Sequence, residues 1–507
     1  MHRPKIVNIN FMASKYLNIV SVSSEIDPFS KTGGLADVAR SLPRALNRLG
    51  HKVICITPLY GKLIDKKKYN LKLVKEKVKI GIDKENSTMV NYWKGELTKG
   101  VSVYFVESDK YFSRRKDLYG SSHENARFIL FDLAALKLLT ILRFKADVIQ
   151  CHDWQAGLIP YFLRRDFKDS SVLKRAACVF TIHNLIFQLG HSWWEIPAEK
   201  RDGGKSKLPL LDSSRIERVN FVKRAIIDAD AVNTVSETYA EEILKKGKGQ
   251  GLNILLKNRA DRLFGIVNGI DHKEYNPQTD PGLKKNYTYK QTRHREANKL
   301  FIQRKYGLTQ NHDVPLIVMA SRITHQKGFD LILKTLEILL RFDVQLIIMG
   351  DGDKEYISQL KKLSKKYPKK LVWTKFNSKY ETSLYAGGDL FLLPSTTEPC
   401  GINQMKALRY GCIPIVRSIG GLKDTVENFD FNNKQGNGFT FRTYSSMSLY
   451  GAIVRALEYY KDKKTWNKLV GRVMQISFSW NLPAKLYVKL FKKAVRFRKE
   501  RKNGNGK

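Results

Sequence analysis

One stretch of the chain brings together a carboxylate, a thiol and bare backbone: Pro394-Ser395-Thr396-Thr397-Glu398-Pro399-Cys400-Gly401-Ile402-Asn403-Gln404. A carboxylate in such a loop can hold hydroxyls, and Gly401 at a helix start can offer backbone N–H groups to an anion. The plainer alternative is a polar turn that only caps a helix. Before the loop runs Leu390-Phe391-Leu392-Leu393, which reads as a buried parallel strand. After it comes a helical segment, Met405 to Tyr410, closed by Gly411. The loop therefore lies at the carboxyl end of a strand, where open α/β sheets bind ligands.

Further loops repeat that placement. Lys31-Thr32-Gly33-Gly34-Leu35-Ala36-Asp37-Val38 follows the strand Leu17 to Val22 and opens a helix with Leu35, Val38, Leu42 and Leu46 at helical spacing. Its glycines let a ligand approach the backbone at the positive helix end, and Lys31 adds a mobile charge. It matches neither a Walker loop nor a GxGxxG fingerprint, so a phosphate site and a plain tight turn both stand. Val148 to Cys151 delivers His152-Asp153-Trp154-Gln155, and Cys178 to Ile182 delivers His183-Asn184-Leu185. A loop histidine is structural more often than catalytic.

Behind these loops, strands alternate with helices in both halves, which predicts two doubly wound α/β sheets. The first half adds a strand at Val53–Ile56, meandering edge structure from Lys62 to Val106, an amphipathic helix from Phe128 to Phe144 and a strand at Val232–Ser236. Ser236 is placed to cap the helix that follows. Residues 190–215 read as a mobile surface segment. In the second half, Leu316 to Ala320 delivers Ser321-Arg322 and then Lys327-Gly328. Strands at Val344–Met349, Trp373–Phe376 and Ile413–Val416 follow, and residues 484–501 form a basic amphipathic helix expected to dock on protein.

A length of 507 residues exceeds what one core holds, about 250–300 residues, so two domains are expected. No run reaches the ~18 uncharged apolar residues of a spanning helix, and residues 1–15 lack the apolar region of a signal peptide, which suggests a short disordered extension. The net charge of +42 comes from 90 Lys+Arg against 48 Asp+Glu spread along the whole chain. Without a clustered stripe it reads as a lysine-rich solvated surface. The five cysteines show no CxxC spacing, which suggests reduced thiols in a cytoplasmic setting and no zinc site.

Several strings then coincide with one family. Besides the Lys-Thr-Gly-Gly loop, His152-Asp153-Trp154 and Thr181-Ile182-His183-Asn184-Leu185, there are Asn268-Gly269-Ile270-Asp271, Gln326-Lys327-Gly328 and Glu398-Pro399-Cys400-Gly401, in this order. With Ala407-Leu408-Arg409-Tyr410-Gly411, Gly420-Gly421-Leu422 and Asp424-Thr425-Val426, the chain resembles bacterial glycogen synthases and plant starch synthases over roughly residues 16 to 485. The resemblance implies two Rossmann-like domains facing an interdomain cleft, the glycosyltransferase type B fold. It implies an N-terminal extension at 1–15, an acceptor-side domain at 16–268, a nucleotide-sugar domain at 269–483, and a C-terminal segment at 484–507 whose helix returns to the first domain.

The implied reaction is transfer of glucose from ADP-glucose to the non-reducing end of an α-1,4-glucan, with retention and with no metal or cofactor. UDP-glucose remains an alternative donor, and the oligomeric state is open. By position, Arg322 and Lys327 clamp the donor diphosphate, and Lys31, Gly33 and Gly34 close on it. Glu398, with Cys400, Gly401 and Ile402, holds the sugar. His183 and Asp153 line the cleft, and Phe376 meets the base. Neither a membrane nor nucleic acid is expected as a partner. Three features depart from common patterns: Lys406 stands where many retaining relatives outside the family carry a second glutamate, Gln155 where many bacterial members have histidine, and residues 187–215 match weakly. Rival readings are another retaining transferase on the same fold, and a polyanion-binding scaffold with a decayed site.

Overall fold

The computed structural model describes residues 16–120 and 123–504; the expected extension at 1–15 lies outside them. The chain divides into two compact units, and its strands form two sheets, a nine-stranded mixed one and a six-stranded parallel one. Residues up to Thr181, Phe187–Val232 and the chain from Val488 onward form one, and Ile182–Ile186 with Asn233–Tyr487 form the other.

The larger sheet contains β1 (Asn18–Val22), β2 (Lys52–Pro58), β3 (Lys72–Gly81), β4 (Ser87–Thr98), β5 (Val101–Glu107), β6 (Val148–His152), β7 (Ala177–Ile182), β8 (Ala231–Thr234) and β9 (Leu263–Gly265), in the order β3-β4-β5-β2-β1-β6-β7-β8-β9. β5, β2, β1, β6 and β7 run parallel, whereas β3 and β4 form an antiparallel margin. The apolar runs of β1, β2 and β6 are buried on both faces, as parallel strands must be. The edge strand β3 instead turns Lys72, Lys75, Lys77 and Lys79 outward, which discourages pairing with another chain.

The second sheet holds β10 (Leu316–Ala320), β11 (Gln345–Met349), β12 (Leu371–Thr374), β13 (Leu390–Leu393), β14 (Ile413–Arg417) and β15 (Phe439–Phe441), all parallel, in the order β12-β11-β10-β13-β14-β15. The strand order reverses between β10 and β13, the arrangement in which doubly wound sheets open a crevice at their carboxyl ends. Arg322, Lys327 and Glu398 follow β10 and β13.

Several details differ from the sequence reading. The segment at Phe128 lies within helix Glu124–Ile141, which is buried almost all round and so is not amphipathic. Phe376 lies beyond β12, and β15 had too short an apolar run to be seen. Residues 190–215 carry only short 3₁₀ turns, yet they are anchored and do not form a loose segment. Trp193 is buried with Leu189 and Ile196, Arg201 stacks over Trp193 and Trp194, and Asp202 forms a buried ion pair with Arg224 at 2.7 Å. Within the first unit, the last helix, Asn481–Gly504, is tied down by Arg498 donating to the Lys174 carbonyl and Arg501 to that of Asp228. Among the described residues, no helix is long and apolar enough to cross a membrane.

Candidate active site

The centre of the second unit's site is an ion pair. Lys327 Nζ lies 2.5 Å from Glu398 Oε2, and the same oxygen accepts a hydrogen bond from Ser395 Oγ at 3.0 Å. The two side chains come from different loops, one after β10 and one after β13, which are adjacent strands. Backbone bonds lock these loops together: Thr396 N donates to the Gln326 carbonyl at 2.9 Å, and Gln326 Nε2 to that of Thr397 at 3.2 Å. Gly328, at φ +80°, packs so closely on Pro394 that an added Cβ would lie 2.4 Å from its carbonyl oxygen. Only glycine permits that approach.

A second glycine supports Glu398 from behind. Gly421 N donates to the Glu398 carbonyl at 3.1 Å, and a Cβ on Gly421 would sit 2.1 Å from the Cys400 oxygen. Gly421→Ala should therefore push the Glu398 loop aside. The expected result is a stability loss of about 1–3 kcal/mol and an activity loss of at least ~10-fold, since ångström misplacements carry large kinetic costs. Thermal melts and initial rates check it.

The neighbouring loops extend the same surface. Arg322 is exposed and has no ion-pair partner among the described residues. Ile323 N donates to the Asp351 carbonyl at 2.9 Å, and Asp351 Oδ2 accepts from Phe376 N at 3.0 Å. Arg322 and Phe376, whose ring is half exposed, thus stand on adjoining loops at the carboxyl ends of β10 and β12. Cys400 is buried, and burial pushes its thiol up to about 12, so it stays neutral and is no nucleophile. Any contact it makes with a ligand falls to its backbone. Gly401, at φ +69°, and Ile402 lead into helix Asn403–Arg409, where Asn403 Nδ2 ties back to the Ala320 carbonyl at 2.8 Å.

Lys406 points into the interior, 3.1 Å from Glu381 and over the ring of Tyr275, so its position is structural. Asp424 accepts from Thr238 N at 3.0 Å and Thr238 Oγ1 at 2.5 Å, anchoring the start of helix Glu237–Glu242 that Ser236 caps. His183 is half-buried just past β7, in the short segment that packs with the second unit.

The other candidates belong to the first unit. Lys31 pairs with Asp37 at 2.6 Å, and Gly33 and Gly34 are exposed at the start of helix Gly34–Arg48. A Cβ on Gly33 would meet nothing within 4 Å, which leaves the approach to the helix start open. His152 is fully buried, bonded to Ser21 Oγ at 3.1 Å and lowered to about 3 by burial; it is a neutral structural residue of the sheet. Asp153, next to it, has φ +55° and ψ −173°, a region almost confined to glycine. Strain of this kind costs about 1–3 kcal/mol and persists only where the surrounding structure holds it. Gln155 is buried.

Sequence reasoning missed Ser395, Glu25 and Arg417. Arg417 donates to the Thr396 carbonyl at 3.0 Å while lying over the Tyr444 ring. Its only signal was a cation closing an apolar strand. Glu25 accepts from both Thr32 N and Thr32 Oγ1, at 2.5 and 2.9 Å. An acidic residue just after β1 was the cue for it.

Residues 18–258 match a family model described as the starch synthase catalytic domain, and residues 303–469 one described as glycosyl transferases group 1. A glycogen synthase from Syntrophotalea carbinolica is 41% identical over 490 residues, covering 94% of this chain and 99% of the relative. One from Thermosipho melanesiensis is 38% identical over 482 residues, covering 94% and 99%. The catalytic domain of starch synthase IV from Arabidopsis thaliana, solved with ADP and acarbose, superposes with a TM-score of 0.84 at 33% identity, covering 95% of this chain and all of that one. A sucrose-phosphate synthase from Thermosynechococcus elongatus, at 17% identity and a TM-score of 0.61, shares the glycosyltransferase type B fold alone. With sequence similarity running across nearly its whole length, the chain belongs to the glycogen and starch synthase family of glycosyltransferases.

Proposed function

We propose that this glycosyltransferase moves glucose from ADP-glucose to the non-reducing end of an α-1,4-glucan, with retention, without a metal and in the cytoplasm. The observation that carries the reading is the Lys327–Glu398 pair, which joins a cation suited to phosphate with a carboxylate suited to sugar hydroxyls. The ADP and acarbose held by the starch synthase relative, a nucleotide and an oligosaccharide analogue, support it. In this division of labour, residues 16–268 serve the acceptor and 269–483 the donor.

Arg322 and Lys327 neutralise the charge that grows on the leaving diphosphate, the task a metal performs elsewhere. Lys31, with the N–H groups at Gly33 and Gly34, adds a further cation and backbone donors for the donor phosphates. Glu398 and the backbone of Cys400, Gly401 and Ile402 hold glucose hydroxyls, Phe376 lies against the base, and His183 and Asp153 attend the transferred sugar. The bond from C1 to the phosphate oxygen breaks as the acceptor O4 bonds to C1 on the same face. The proton of that hydroxyl passes to the leaving phosphate. Glu398 is engaged by Lys327 and Ser395, which suits a holding role better than a nucleophilic one.

Incubation of the purified protein with labelled ADP-glucose or UDP-glucose and glycogen tests the donor. Label should enter polymer from ADP-glucose at a several-fold higher kcat/KM. Equal use of both, or UDP-glucose alone, contradicts the proposal.

A further inference from the structure

A carboxylate outside the motifs sits behind the glycine loop. Glu25 is only 2% exposed, yet one of its oxygens receives both the N–H and the hydroxyl of Thr32, at 2.5 and 2.9 Å. Thr32 is the residue between Lys31 and Gly33, so this buried carboxylate fixes the loop from its inner side. The loop's own cation is engaged at the front, where Lys31 Nζ meets Asp37 Oδ1 at 2.6 Å. We propose that Glu25 is a positioning residue whose proton is coupled to occupancy of the Lys31-Thr32-Gly33-Gly34 loop by a diphosphate. The inference rests on the reading of that loop as a donor-phosphate contact.

The surroundings supply the coupling. Burial is the main cause that raises the Glu25 carboxyl to about 7, with the negative Asp37 adding to it; the bonds from Thr32 and the charge of Lys31 oppose it. Tyr60 and Tyr119 close the other side, the first donating to the Ser24 carbonyl at 2.9 Å and the second bonded to Ser24 Oγ at 2.7 Å. Burial raises both phenols, so neither ionises near neutral pH. Beyond Tyr60 stand Arg127, Glu124 and Arg115, with Arg127 paired to Glu124 at 2.5 Å. A protonation change near pH 7 in this pocket therefore belongs to Glu25. A diphosphate at the loop adds negative charge close to it and favours the protonated form. Proton uptake should accompany binding, and affinity should fall as pH rises through about 7.

The folded value lies above the unfolded one, so this carboxyl favours folding below about 4.5, and the contribution is lost as pH rises through about 7. The parent should accordingly lose Tm relative to Glu25→Gln between pH 5 and pH 8.

Calorimetry with ADP alone, on the full chain at pH 7 in buffers of different ionisation enthalpy, counts the protons taken up. A rise of about one pKa unit on binding carries Glu25 from half to about nine-tenths protonated, so the parent should take up ~0.4 proton more than Glu25→Gln. Kinetically, the rise of donor KM with pH should be lost in Glu25→Gln while the kcat plateau is kept. Thr32→Val retains Glu25 but removes one bond to its charged form, and should move the decline in ADP affinity to higher pH; it serves if the glutamine variant does not fold. Lys31→Ala should weaken ADP. If it does not, the loop is no phosphate contact and the inference falls with that reading. If Lys31→Ala weakens ADP but proton counts match in parent and Glu25→Gln, or Thr32→Val leaves the pH profile unmoved, the coupling is refuted while the loop assignment stands.

Discussion

Arg322→Ala and Lys327→Ala should each lower kcat/KM by about 10²–10³, the usual effect of deleting one stabiliser of transition-state charge. Their stabilities should differ. Arg322 is exposed and its removal uncovers nothing, so Tm should stay within a degree or two. Lys327 neutralises a carboxylate that is only 6% exposed. Its loss leaves Glu398 with Ser395 alone, and stranding one member of a buried pair costs about 3 kcal/mol or more. A clear drop in Tm is therefore expected for Lys327→Ala, with the activity loss persisting well below the melting range. Near-normal turnover in either variant would remove that residue from the mechanism.

Glu398→Gln should abolish most turnover for a different reason. The amide keeps the size of the side chain and can still accept from Ser395, but it loses its charge and leaves Lys327 without an anionic partner. ADP affinity should not fall: the freed Lys327 cation should hold ADP as well as or better than the parent does, while transfer falls by ~10² or more because the sugar loses a charged hydrogen-bond acceptor. Calorimetry with ADP beside transfer rates separates the two effects. Equal losses in ADP affinity and rate would mean that Glu398 only shapes the loop.

The sequence showed much of this because the loops follow compact apolar strands. Leu316–Ala320 and Leu390–Leu393 are short, wholly buried and bounded by polar residues, so the placement of Arg322, Lys327 and Glu398 at strand ends was legible. What it could not show was pairing. Nothing in one dimension tells that Lys327 meets Glu398 across 71 positions, or that Gly421 sits against the backbone of Cys400. Periodicity also misled where burial is complete, as in helix Glu124–Ile141, whose faces are alike because all of them are covered. Residues 190–215 read as a mobile surface segment; the small cluster around Trp193 and the stacking of Arg201 on Trp193 and Trp194 depend on contacts that no local pattern encodes. His152 and His183 looked alike in sequence, both at strand ends, and differ because Ser21 on the neighbouring strand covers the first.

The central claim is that Glu398 holds the sugar while the leaving phosphate takes the acceptor proton, so no carboxylate bonds to C1. Intact-mass and peptide mass spectrometry on the parent protein, mixed with a slowly reacting donor analogue and quenched within the first turnover, tests this most directly. The expected spectrum shows unmodified protein throughout, alongside α-linked product. A glucosyl adduct on Glu398, Asp153 or any other carboxylate, formed and consumed at the rate of turnover, would contradict it.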